Sequence, residues 1–140
     1  MPSKHVADAV DARLAAFWTA TPVIEFDDQA IPPDNADGFV MVQYPIVNGI
    51  SPILGRLFWE EGYIRVVLGV KRGLGNDQAR EWCDTLAHIF RTAKFDGVET
   101  RAPDGALVDD SIDNGNWILY SINVPYRFEF ESAVFEFETV

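Results

Sequence analysis

With 140 residues, 48% hydrophobic and 13% aromatic, the chain has the size and composition of one folded domain rather than a disordered tail. A formal charge of −11 excludes the clustered Lys and Arg that phosphate neutralisation needs, so a specific nucleic-acid binder is set aside. The basic residues are uneven: Arg56, Arg65, Lys71, Arg72, Arg80, Arg91, Lys94 and Arg101 lie between positions 56 and 101, while residues 14 to 55 contain none. Such a distribution suits stacking against acidic surface on another copy or another subunit.

The opening MPSKHVADAV has no apolar signal core, and no apolar run reaches the ~18 residues of a membrane span. This predicts a protein made and kept in the cytoplasm, with no membrane partner. Val6, Val10, Leu14, Phe17 and Trp18 recur at three- and four-residue steps, which predicts an amphipathic helix over 4 to 20 with Ser3 as its cap. Thr21-Pro22 ends it, because proline disfavours helix in the residue before it. Residues 22 to 38 carry three prolines and five acids without a regular period, so they read as an extended loop.

Phe39 to Tyr44 has strand composition, with Pro45 as its end and Asn48-Gly49 as the turn that follows. Residues 53 to 60 and 62 to 71 read as two further strands of an antiparallel meander, bent at Glu60-Glu61-Gly62. From about 77 to 93, Ala79, Trp82, Cys83, Leu86, Ala87, Ile89, Phe90 and Ala93 make one wide apolar helical face, capped by Asn76 or Asp77. Asp96-Gly97 turns the chain into Val98–Arg101, Pro103-Asp104-Gly105 turns it again, and Ala106 to Ile112 reads as a short strand. Asn114-Gly115 precedes a last long strand, Asn116 to Glu131, in which Pro125 points to an edge position or a bulge. Residues 133 to 138 resume a period of two at Phe135 and Phe137. A strand of that kind leaves unpaired backbone groups unless it adds to a sheet edge, its own or a neighbour's.

The stretch VKRGLGNDQAREWCDTLAHIF raises the possibility of a phosphate-binding turn, but a dinucleotide turn wants a third glycine where Gln78 stands, and no G-K-S/T follows. Gly73 and Gly75 are better read as a tight strand-to-helix connection. Asp109 to Gly115 satisfies a calcium loop in neither register. His5 and His88 are far apart and lack a second ligand at i+4, and the single Cys83 sits at helical spacing among apolar residues, as a small buried hydrophobe does. Tyr126, Phe128 and Phe130 could stack bases, yet Arg127 is the only base after Arg101, so a core-facing strand accounts for them better. No catalytic, cofactor or metal site is expected, and the chain is not read as an enzyme.

The order RLAAFWTATPVIEF, QAIPPDN, FVMVQYP, EEGYIRVVLGVKRGLGNDQAREWCDTLAHIF and NWILYSINVPYRFEF, over roughly residues 10 to 130, resembles the tail-terminator (tail-completion) proteins of long-tailed bacteriophages. The resemblance implies an α+β subunit, a mixed or mainly antiparallel sheet with two main helices, as one domain over 1–131 with a C-terminal extension over 132–140. It implies a structural virion protein: a hexameric ring that terminates the tail tube and docks the head-proximal neck or stopper protein. Assembly would occur in the host cytoplasm, and the genome would pass through the lumen. A head-completion or stopper protein, a tail-tube subunit, or a small-ligand-binding domain are the alternatives. Expected contacts to neighbouring subunits or the tube are Arg56, Arg65, Lys71 and Arg72, acidic Asp109 and Asp110 (or Asp27-Asp28) as their counterparts, and Phe135 and Phe137.

Overall fold

The computed structural model describes residues 2–24, 37–50, 57–73, 76–105, 107–108 and 117–131, with backbone alone at residues 50, 57, 58, 107, 108, 130 and 131. In chain order these form α1 (Lys4–Phe17), β1 (Gly38–Ile50), β2 (Leu57–Lys71), α2 (Asn76–Phe90), β3 (Lys94–Phe95), β4 (Val98–Thr100), β5 (Leu107–Val108) and β6 (Trp117–Glu131). The strands make one sheet in the order β1-β2-β6-β4-β3, with β5 also on β6. Every strand pairing is antiparallel, so the fold is α+β, as expected.

Helix α1 starts where Ser3 Oγ accepts a hydrogen bond from the Val6 amide at 3.3 Å, satisfying one of the donors a helix start leaves unpaired. Its buried residues, Val6, Ala9, Val10 and Leu14, follow the helical period. It ends at Phe17 rather than at 20: Trp18 leaves the helix, buries its ring and donates Nε1–H to Thr21 Oγ1 at 3.0 Å. Phe17, which the periodicity assigns to the apolar face, is 60% exposed.

Helix α2 includes Asn76 and stops at Phe90, three residues short of the expected end. Thr92 takes a left-handed φ of 45°, and the Thr100 hydroxyl donates to the Phe90 carbonyl at 2.6 Å while accepting from the Ala93 amide at 2.9 Å. A buried side chain of β4 thus satisfies helix-end carbonyls that a longer helix would have bonded internally. The connection from β2 into α2 includes Gly73 at φ 99°, a conformation that favours glycine; Gly75 lies outside the described residues.

Several strand boundaries differ from the sequence reading for one reason. Pro45 does not end β1, and Asn48-Gly49 is not a turn: Asn48 pairs with Glu61 and Gly49 with Glu60. Between the pairs Gln43↔Arg65 and Ile46↔Tyr63, β1 spends two residues, Tyr44 and Pro45, where β2 spends one, Ile64. That bulge accommodates a residue with no amide proton and lets the strand continue. Nor is there a bend at Glu60-Glu61-Gly62, since β2 is one strand of 15 residues paired along its whole length with β6. Gly62 answers to the bulge instead: a Cβ there would lie within 2.0 Å of the Ile46 carbonyl oxygen. Residues 51–56, between β1 and β2, lie outside the described set.

Pro125 lies inside the sheet, opposite Tyr63, not on an outer edge. Its carbonyl accepts from the Arg101 amide at 3.0 Å, on the side away from β2. A strand residue directs its N and C=O to the same side, so the missing N–H faces the irregular chain between the β4 and β5 pairings, where no ladder requires it. The expected Asp96-Gly97 turn is present, with both residues left-handed (φ 48° and 82°) between the paired Phe95 and Val98. The short strand expected over 106 to 112 is described only at Leu107–Val108.

Alternation along β2 and β6 then fixes two faces. Even positions Ile64, Val66, Leu68, Val70, Ile122, Val124, Tyr126 and Phe128 join Val40 and the buried residues of α1 and α2 in the main core. Cys83 belongs to it, and burial raises its thiol pKa to about 11. Glu60, also even and 7% exposed, is held by two partners: Oε1 accepts from the Ser3 amide at 3.0 Å and Oε2 from the Tyr126 hydroxyl at 2.6 Å. This ties the α1 start to the sheet and, with burial, pushes the Tyr126 phenol well above its ordinary pKa.

Candidate assembly surface

The odd positions of β2 and β6 face away from the helices and form rows with β1, whose matching positions are odd up to Gln43 and even from Ile46 on, because the bulge adds a residue. At one end Phe39, Met41, Val67 and Leu119 make a second buried cluster, with Trp117 edge-on to Phe39 at 5.1 Å. A polar row follows, Gln43, Arg65 and Asn123, in which Arg65 Nε–H reaches Asn123 Oδ1 at 3.4 Å. Beyond it comes Ile46, Tyr63 and Pro125, paired in register across three strands. Ile46 is 48% exposed and Tyr63 38%, so this apolar row lies open.

The next row, Asn48, Glu61 and Arg127, is charged, and the last described side chains are Trp59 and Glu129. The Arg127 guanidinium sits 4.4 Å above the Trp59 ring while its Nη2 bonds Glu129 Oε1 at 2.8 Å. Trp59 Nε1 and Arg127 Nε are buried donors that meet no acceptor among the described residues. Exposed apolar residues flanked by polar and charged rows, with Trp, Tyr and Arg among them, have the composition of a protein–protein contact.

The expected contact residues scatter. Arg65 stands in the polar row of this face and is half-buried; Lys71 shares its parity but lies six residues along β2, roughly 20 Å away. Lys71 and Arg72 are exposed where β2 gives way to the turn before α2. Arg56, Asp109, Asp110, Phe135 and Phe137 lie outside the described residues, as do Asp27 and Asp28. Sequence reasoning missed Ile46, Trp59, Tyr63 and Arg127. Placing a bend at 60–62 broke the parity that puts Trp59, Glu61, Tyr63 and Arg65 on one side of a single strand.

His5 is engaged within the fold: its ring stacks on Phe128 at 4.6 Å, and Nε2–H donates to the Asp96 carbonyl at 2.6 Å. Among the described residues no three His, Cys, Asp or Glu side chains are grouped so as to hold a metal ion, and no helix is long and apolar enough to cross a membrane.

No protein-family model matches the chain, and no curated protein does. One solved structure, 18% identical, superposes with a TM-score of 0.57 over 93% of this chain and 97% of its own length. At that identity the likeness is one of fold.

Proposed function

We propose that the chain is a structural subunit that assembles with copies of itself into a ring, as the tail-terminator proteins it resembles do at the head-proximal end of a phage tail. The observation that carries this reading is the open Ile46–Tyr63–Pro125 row, flanked by polar and charged rows. A lone domain gains nothing from leaving such a row in water, whereas a neighbouring subunit would bury it. In this reading the protein acts by shape: one side of the ring stops growth of the tail tube, and the other receives the neck protein.

Sedimentation velocity and negative-stain electron microscopy of the purified chain test the reading. Closed rings that bind the ends of isolated tail tubes are expected. A chain that stays monomeric up to high concentration and leaves tube ends bare would contradict it, and rings that stack into continuous tubes would reassign it as a tube subunit.

A further inference from the structure

The outer side of β1 changes character along its length. At Val40 it is already occupied: the Val40 amide donates to the Pro22 carbonyl at 2.9 Å, and the Val40 carbonyl accepts from the Ile24 amide at 2.8 Å, in a parallel bridge centred on Val23. The edge therefore accepts an extended chain. With a period of two, Val42 presents its N–H and C=O on the same side, and among the described residues nothing pairs with the edge from there to Ile50. Beside this free stretch runs a groove of about 710 Å³, lined by Val42, Gln43, Tyr44 and Pro45 of the strand and by Pro2, Lys4 and Ala7 of the α1 start. Among the described residues the buried Tyr44 hydroxyl has no hydrogen-bond partner.

An unpaired strand edge next to an apolar groove is the geometry of strand addition, in which backbone bonds hold the incoming chain and alternate side chains enter the groove. Residues 133–138 have the matching pattern, with Phe135 and Phe137 on one side and Glu136 and Glu138 on the other. We propose that the edge of β1 from Val42 onward, unpaired among the described residues, receives residues 133–138 of a second copy of the chain, with Phe135 and Phe137 entering the groove beside α1.

Register decides between a second copy and the chain's own segment. The groove lies level with Gln43, which pairs with Arg65 and through it with Asn123, eight residues before Glu131 on β6. From Glu131 the segment would have to travel about 26 Å along the sheet and about 14 Å across three strand spacings, roughly 30 Å in all. Phe135, four residues on, reaches only about 14 Å even when fully extended. A neighbour's segment has no such restriction, and addition around a ring would join each subunit to the next.

The proposal rests on the self-association in the reading above but not on any tail, and the experiment separates the two. In the full-length chain, Phe135→Glu with Phe137→Glu is expected to weaken association at least roughly tenfold by sedimentation velocity, since two buried phenyl rings are lost, while the melting temperature stays unchanged. The Val42 amide should gain hydrogen-exchange protection as the wild-type concentration rises, and Val42→Pro, which removes that donor, should lower affinity in the same direction; because Val42 also packs against the core, its melting curve is recorded beside the affinity. Undiminished association of the double variant overturns strand addition and leaves assembly by the sheet face standing. A wild type that is monomeric at every concentration overturns both, and a Val42 amide equally protected in dilute monomer shows that the chain covers its own edge.

Discussion

The two sides of the central strands are made from alternate residues of the same segments, and they meet different surroundings. On the helix side, Ile64, Val66 and Leu68 of β2 are fully buried, together with Leu14 of α1 and Leu86 and Phe90 of α2. Even the one acid there, Glu60, has a partner for each oxygen. On the other side the same strand presents Trp59, Glu61, Tyr63 and Arg65, none of them fully buried. The first side accounts for why the chain folds. The second has the composition of a contact with another molecule, because association removes exposed apolar surface from water.

The sharpest way to break this contrast is at the core. Phe90→Ala removes a fully buried ring packed among the helix-side residues and should cost ~3–5 kcal/mol, enough to unfold a marginally stable domain. Circular dichroism melting checks this, and a wild-type-like transition would mean that the helix side is not the core. A smaller effect is expected at Gly62→Ala. The added methyl meets the Ile46 carbonyl, so the bulge must shift, at about 1–3 kcal/mol by the measure of other overpacked sites. Urea titration should show it, and unchanged stability would place the Pro45 bulge elsewhere.

Much of the architecture was legible in the sequence, and the failures share a cause. The α2 stripe of Ala79, Cys83, Leu86, Ile89 and Phe90, the Ser3 cap and the Asp96-Gly97 turn are local features, set by residues within one or two turns of each other. Pro45, Asn48-Gly49, Glu60-Glu61-Gly62 and Pro125 were misplaced because each carries a local turn or edge signal that the long β1–β2–β6 ladder overrides. The helix end at Phe90 likewise depends on Thr100, ten residues away. The exposed rows were hidden for the same reason: Ile46, Tyr63 and Pro125 come from three strands and form one row only once the register is known. Of the expected contact charges among the described residues, Arg65 stands within those rows, whereas Lys71 and Arg72 lie at the far end of β2 and beyond it.

The central claim is that the open row is an assembly surface and contributes little to the fold. Sedimentation velocity of the double variant Ile46→Lys with Tyr63→Lys, beside its melting curve, tests it most directly. Both side chains are only partly buried in the subunit and lie opposite each other, so stability should fall by no more than about 1–2 kcal/mol, part of it from repulsion between the paired ammonium groups, while those groups placed in a buried contact should abolish assembly. A variant that assembles as the wild type does would contradict the account. So would one that loses assembly only because it unfolds.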